Sequence, residues 1–424
     1  MLQIAAIREH KDAFASALKK RNIDAAPLLE KAIAMDEKRR SLQTELDETL
    51  AESNRLSKEI GNLFKSGKGA EANELKGKTG DLKEKSKDLN EQLNNAVEAL
   101  QSILYMIPNI PQESVPAGNS DEDNEVVSQN GDIPQLVDTA QPHWELAKKY
   151  DIIDFELGNK ITGAGFPVYK RKGARLQRAL INYFLDKNTA AGYEEMQVPH
   201  LVNEDSGFGT GQLPDKEGQM YHVGIDDLYL IPTAEVPITN LYRGDLLEQK
   251  DLPIAMTGYT PCFRREAGSY GSDVRGLNRL HQFDKVEILR IEHPDQSDSA
   301  LDAMVVHVKG ILEELELPYR ILRLCGGDLG FTSTLTYDFE VYSTAQEKWL
   351  EVSSVSNFKT FQANRLKLRY RNGNNGTELA HTLNGSALAL PRILASILEN
   401  FQEEEHINIP KVLIPYCGFD RIDL

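Results

Sequence analysis

Residues 263 to 289 read FRREAGSYGSDVRGLNRLHQFDKVEIL and place Arg264, Arg265, Arg275 and Arg279 close together in a chain of net charge -17. Guanidinium groups are planar, permanently charged forks that suit phosphate and carboxylate, so the cluster points to an anionic ligand. The stretch reads as two strands around a glycine-bearing loop at 267–278. With side chains alternating between faces, Arg264 and Glu266 share one face, and Arg279, His281, Phe283, Lys285 and Glu287 share one on the returning strand. Leu280, Val286 and Ile288 fall opposite, on an apolar face. Arg279, Phe283 and Glu287 are spaced by four, about 13 Å per step at roughly 3.3 Å per residue. That span suits an elongated ligand with a phosphate part, a flat ring and an amine. An aromatic side chain among charges, as at Phe283, has a better stacking rationale than a packing one.

Two more stretches carry chemistry. In NGSALALPRILASILENF (384–401), Ile393, Leu394, Ile397, Leu398 and Phe401 keep helical spacing. Pro391 suits the first helical position, and Arg392 adds its charge to a helix start that already favours anions. In LEVSSVSNF (350–358), strict alternation puts Glu351 and Ser353 on one face and Val352 and Ser354 on the other, and a strand end or bulge could bring Glu351 and Ser354 to one ligand. A carboxylate beside a hydroxyl is oxygen chemistry suited to Mg²⁺. GNLFKSGKG lacks the glycine spacing and the Ser/Thr of a phosphate-binding loop, and neither HExxH nor a serine-hydrolase elbow occurs.

The elements that must hold these residues fall into blocks. Composition, 40% hydrophobic and 27% charged over 424 residues, fits two or three soluble domains. From Leu28 to Leu104 proline and aromatic residues are scarce; Leu75, Leu82 and Leu89 lie seven apart, and Leu93, Ala96, Leu100 and Ile103 continue in steps of three and four. Leu42, Leu46, Leu50, Leu56, Ile60 and Leu63 form a looser stripe, and KSGKGAEAN (65–73) supplies a turn. The spacing predicts a long antiparallel helical hairpin with a coiled-coil seam over residues 1–105. Prolines, acids and turn formers over 106–141 read as a linker or surface excursion. The second domain, 142–424, mixes a helix at 173–188 with strand-like runs such as DLYLIPT, YDFEVYS and KWLEVSSVS, a pattern of α+β class with a mostly antiparallel sheet. Cys262, Cys325 and Cys417 are far apart and odd in number, so neither a disulfide framework nor a zinc site is expected. No run of about 18 apolar residues occurs, and the first residues lack a signal-peptide core, so a cytoplasmic protein without a membrane partner is expected.

Taken together, these stretches resemble the bacterial-type seryl-tRNA synthetases, a class II aminoacyl-tRNA synthetase family. The resemblance spans essentially the whole chain: IREHKDAFASALKKR at the start, the hairpin, PHWELAKKYDIIDFE (142–156), GTGQLP (209–214), PTAEVPITN (232–240), the FRREAG to KVE block, CGGDLG (325–330), EVSSVSNF and TLNGSALALPR (382–392). It implies a class II core behind a tRNA-binding arm, and a homodimer in which Pro199 matches the interface motif. It implies L-serine, ATP with Mg²⁺, and tRNA(Ser) as partners, with tRNA(Sec) where present. Arg264, Arg392 and Glu351 are then catalytic. Arg264 belongs on the ATP α-phosphate, Glu266 near the adenine or the tRNA end, and Phe283 and Arg392 on the two faces of the adenine. Arg392 also reaches the γ-phosphate with Arg279, while Arg265, Val352, Ser353 and Ser354 complete the ATP site. Thr233, Ala234, Glu235, Glu287, Asn384 and Ser386 form the serine pocket, and Glu351 and Ser354 hold the metal. Ala387, Pro391 and Leu335 depart from the family's usual Gly, Gly and Lys. Two rivals share parts of this pattern. A relative that charges a carrier protein usually lacks the full arm, and a silent homologue normally has lost one of Arg264, Glu287, Glu351 or Arg392.

Overall fold

The computed structural model describes every residue except 216–217, 267–274 and 374–375, so most of the expected loop at 267–278 lies outside the described residues. Contacts divide the chain into two compact units, residues 1–19 with 23–108, and residues 20–22 with 109–424.

The first unit consists of helices α1 (Ile4–Leu18), α2 (Ala26–Lys65) and α3 (Gly69–Leu104). Ser66 to Lys68 join the long pair, with Gly67 at φ +75°, where a glycine is the residue of least strain. Leu42, Leu46, Leu89, Leu93 and Ala96 pack together as the expected seam. Leu50, placed in the stripe by sequence, is exposed. The regular steps of three and four run 42, 46, 49, 53, 56 and 60, so Thr49 and Ser53 take the seam instead. Their small side chains fit there, and the Thr49 hydroxyl donates to the Glu45 carbonyl one turn back. Asp36 is fully buried, paired with Arg8 and Arg39.

The second unit is α+β. Its eight-stranded sheet uses β1 (Glu125–Asn130), β2 (Glu194–Glu195), β3 (Ile254–Phe263), β4 (Gln282–Glu292), β5 (Tyr319–Arg323), β6 (Leu335–Ser343), β7 (Lys348–Lys359) and β8 (His381–Ala389). Their spatial order is β1-β5-β6-β7-β8-β4-β3-β2, antiparallel throughout except for the short parallel pairing of β2 with β3. The stretch 106–141, expected as a linker or excursion, therefore contributes the edge strand β1, paired with β5. Its sequence EVVSQN is largely exposed and does not alternate, so backbone pairing alone makes it a strand.

Around the sheet lie α4 (His143–Lys149), α5 (Arg171–Ala190), α6 (Glu235–Asn240), α7 (Ser297–Glu314) and α8 (Leu390–Asn400). Val286 and Ile288 of β4 join Leu176 and Leu180 of α5, Met304 and Val308 of α7, and Ile393 and Ile397 of α8 in one core. This is the apolar face expected opposite the charged one. Leu335 belongs to the same core, so its departure from lysine is a packing choice. Pro391 sits in the first turn of α8, where its missing N–H leaves no hydrogen bond unmade.

Candidate active site

Three stretches distant in sequence converge on a cavity of about 260 Å³. Arg264 and Glu266 lie just past the end of β3, and Arg279, Phe283 and Lys285 lead into β4. Glu351, Val352, Ser353 and Ser354 come from β7, and Ser386 and Arg392 from β8 and α8.

The outer part carries the arginines. The Arg264 guanidinium lies 5.3 Å from the centre of the Phe283 ring, and its Nε donates to the Pro232 carbonyl. Phe283 is half-buried and also packs against the main core. Arg392 donates from Nε to the Asn278 carbonyl at 3.0 Å and from Nη1 to the Glu351 carbonyl at 2.7 Å. Arg279 pairs with Glu266 at 3.1 Å. These guanidinium groups are thus tethered beside the cavity.

A β-bulge decides how β7 contributes. Ser353 stands opposite Phe339 while Glu351 stands opposite Glu340, which leaves Val352 as the extra residue. Glu351 and Ser354 consequently border the same space, which continues into an adjoining cavity of about 650 Å³ lined also by Asp338 and Glu340. Asp338 Oδ1 is buried without a hydrogen-bond partner among the described residues. Burial, and next the Glu351 charge, hold the Asp338 carboxyl well above its usual range. Crowded, oxygen-only donors of this kind fit a hard dication.

Behind Ser386 and Lys285 of the cavity lining lies a dry, acidic group. Glu287 is 1% exposed and lies opposite Ser386 across the β4–β8 pairing. Its Oε1 accepts from the Thr233 hydroxyl at 3.1 Å and the Ser386 hydroxyl at 3.2 Å, and it is ion-paired with Lys285. Oε2 is buried with no hydrogen-bond partner among the described residues. Thr233 Oγ1 also accepts the backbone N–H of Glu235, which ties the start of α6 to this group. Glu235 accepts from Gln362 at 2.6 Å; burial pushes its carboxyl up to about 7 against that hydrogen bond, and the Glu287 charge adds to the rise. Ala234 is fully buried at the helix start, and Asn384 stands two residues before Ser386, paired with Leu289 and Ser356.

Two of the four arginines that drew attention do not reach the cavity. Arg265 donates from Nε to the Met220 carbonyl at 3.0 Å and lies over the Tyr221 ring, and Arg275 lies over Trp144 and pairs with Glu145. His281 is also turned elsewhere, stacked on Phe166 and bonded to the Tyr221 hydroxyl. The reason is that β3 ends at Phe263 and β4 begins at Gln282, so strand alternation does not govern the residues between. Lys285 was given no site role by sequence, although its two-residue spacing from Phe283 and Glu287 places it on their face. Asn278, whose carbonyl holds Arg392, has no local signal at all.

Comparison with known proteins agrees over the full length. Residues 1–111 match the family model "Seryl-tRNA synthetase N-terminal domain", and residues 221–401 match "tRNA synthetase class II core domain (G, H, P, S and T)". A serine–tRNA ligase of Salinibacter ruber is 50% identical over 424 residues, covering 100% of this chain and 99% of the relative. That of Chlorobium chlorochromatii is 44% identical over 427 residues, with both chains fully covered. Among solved structures, the seryl-tRNA synthetase of Pyrococcus horikoshii complexed with ATP superposes with a TM-score of 0.91 at 32% identity, covering 100% of this chain and 99% of the other. The cytoplasmic enzyme of Naegleria fowleri in complex with AMP gives 0.87 at 26% identity, with the same coverage.

Proposed function

Because this chain belongs to the seryl-tRNA synthetases, class II enzymes that ligate serine to tRNA, we propose that its 260 Å³ cavity receives ATP and that the buried end around Glu287 receives L-serine. The observation that carries this reading is the buried Oε2 of Glu287, without a hydrogen-bond partner among the described residues, directly behind Ser386 and Lys285 of the arginine-lined cavity. An acceptor left open in a dry site calls for a cationic donor, and the ammonium group of serine supplies one. Thr233, Glu235, Asn384 and Ser386 surround the rest of the amino acid, with Ala234 closing the wall. Arg264 holds the α-phosphate, Phe283 the adenine, and Arg392 with Arg279 the outer phosphates. Arg265, turned to Met220 and Tyr221 and outside the cavity lining, would support the strand end that carries Arg264.

The serine carboxylate, already ionised at neutral pH, attacks the α-phosphorus. An O–P bond forms, the bond to the β-phosphate oxygen breaks, and pyrophosphate leaves. No proton has to be removed, so the step depends on alignment and on positive charge where phosphate charge accumulates. The tethered guanidinium groups provide both. The 3′-terminal ribose hydroxyl of tRNA then takes the seryl group and AMP departs, with Glu266 assigned near the adenine or the tRNA end. Glu351 and Ser354, brought to one space by the Val352 bulge, would hold Mg²⁺, which when bound would neutralise phosphate charge.

The helical hairpin of the first unit is assigned to tRNA(Ser), its Lys-bearing faces over 38–87 making shape-directed backbone contacts, with tRNA(Sec) as a second substrate where present. Exposed Pro199 belongs to a homodimer interface. The enzyme is assigned to the cytoplasm; among the described residues no helix is long and apolar enough to cross a membrane.

Serine-dependent ATP–pyrophosphate exchange followed by charging of total tRNA tests the assignment. Arg264→Ala is expected to lower exchange by about 100-fold or more, as when a contact to transition-state charge is lost. Near-normal exchange in the folded variant rejects the role given to Arg264.

A further inference from the structure

Residues 275–280 carry Asn278 and Arg279 into the cavity, yet they belong to no helix or strand. What fixes them is a polar post on the far side. His143, at the start of α4, is fully buried, and its Nε2 accepts the backbone N–H of Leu277 at 2.8 Å. The ring also abuts Gly276 (φ +67°), where an added Cβ would stand 2.2 Å from Nε2. Because Nε2 is an acceptor here, the imidazole proton sits on Nδ1, which donates to Glu399 Oε1 at 2.7 Å. Glu399 is equally buried. It also accepts from the His143 backbone N–H, from Gln346 Nε2 and from the Ser343 hydroxyl, so the carboxylate is saturated and cannot turn. Gln346 in turn accepts from Asn278 Nδ2 at 2.9 Å.

Glu399 stands seven residues after Arg392 on α8, two turns along the same face. One helix thus grips the same short segment twice: Arg392 holds the Asn278 carbonyl, and Glu399 holds the Leu277 N–H through His143. We propose that His143, oriented by Glu399, is a positioning residue for nucleotide binding: it fixes the 275–280 segment so that Arg279, Asn278 and Arg392 stand together at the phosphate end of the cavity. This rests on the reading that the cavity takes ATP, and it deepens it by placing a determinant of ATP affinity outside the cavity wall.

Two near-isosteric substitutions separate this role from simple core filling. His143→Asn keeps a donor to Glu399 and loses the acceptor for Leu277; His143→Gln offers an acceptor near the Nε2 position and loses the donor. In the full-length protein, ATP–pyrophosphate exchange should show His143→Asn raising the KM for ATP by at least about fivefold, as for a buried donor left unsatisfied. The KM for serine should stay within about twofold in that variant, because Glu287, Ser386 and Thr233 are held by other elements. His143→Gln should restore most of the ATP affinity. Amide hydrogen exchange at Leu277, measured on the ligand-free protein, should quicken in His143→Asn and stay slow in His143→Gln. That readout tests the clamp even if the cavity binds something other than ATP. Should His143→Asn fail to fold, Gly276→Ala applies the same displacement from the loop side and is expected to raise the KM for ATP likewise. Equal behaviour of the Asn and Gln variants, or an unchanged KM for ATP in Gly276→Ala, overturns the proposal.

Discussion

Glu235→Gln sets stability against function. The Glu235 carboxyl is 7% exposed and pushed up to about 7 from a usual 4.5, chiefly by burial, with Glu287 adding to the rise and the Gln362 hydrogen bond opposing it. Between those two values the folded protein binds more protons than the unfolded chain, so stability falls as pH rises through that window and levels off above it. That rise corresponds to ~3 kcal/mol of penalty on the ionised form, most of it developing between pH 5 and pH 8. Glutamine keeps the shape and the acceptor for Gln362 and has no charge to bury. The variant should approach the wild type near pH 5 and exceed it by ~3 kcal/mol at pH 8, roughly 5 °C in melting temperature for a body of this size. The same change removes a carboxylate assigned to the serine pocket, so the KM for serine should rise by about tenfold, the equivalent of ~1.4 kcal/mol. Scanning calorimetry at several pH values, with serine-dependent exchange alongside, reads both effects. Melting curves that stay parallel across pH would refute the reasoning about burial, and a serine KM that does not move would remove Glu235 from the pocket.

Other expectations concern the metal and the arm. Glu351→Ala should raise the Mg²⁺ concentration for half-maximal exchange by about tenfold or more, in line with losses seen when a metal site is disturbed; an unmoved Mg²⁺ titration rejects the ligand assignment. Deleting residues 26–104 should leave adenylate formation intact and abolish charging of tRNA, and charging that survives the deletion refutes the tRNA role of the hairpin.

The hairpin was legible in the sequence because its cause is local: apolar residues three and four apart must share a helix face. The seam was misread only at Leu50, where two small polar residues keep the spacing better than a leucine does. The face of β4 was legible for the same reason, with Val286 and Ile288 on the core side, Phe283 and Lys285 at the cavity, and Glu287 paired with Lys285 behind it. Legibility stops where a residue's role depends on a partner far along the chain. Arg21 reads as one more surface charge in ALKKRN, yet it is buried in the second unit and donates to the carbonyls of Asn109, Leu329, Gly330 and Ser333. Burial lowers its guanidinium to about 10, a cost that only such a set of acceptors offsets. The strand at 125–130 and the His143–Glu399 post are of the same kind: their sequences are unremarkable until β5, Leu277 and α8 come beside them.

The candidate site itself is graded from wet to dry, and the grading follows what each end must discriminate. At the outer end the Glu351 side chain is 51% exposed and Arg279 46%, so their charges are screened and bind by number and approximate placement. At the inner end Glu287, Thr233 and Ser386 are all below 10% exposed and already hydrogen-bonded to one another. A dry, prearranged polar pocket penalises any ligand that leaves one of its groups unpaired, whereas an apolar pocket distinguishes small side chains only weakly. Serine and alanine differ by one hydroxyl, so selection against alanine has to come from the inner end. On the assignment proposed above, the outer arginines see the same triphosphate whichever amino acid is bound and should contribute to rate and to ATP affinity. Substitutions at Thr233 or Ser386 should therefore erode the preference for serine over alanine, while those at Arg279 should slow both amino acids alike in exchange assays run with each.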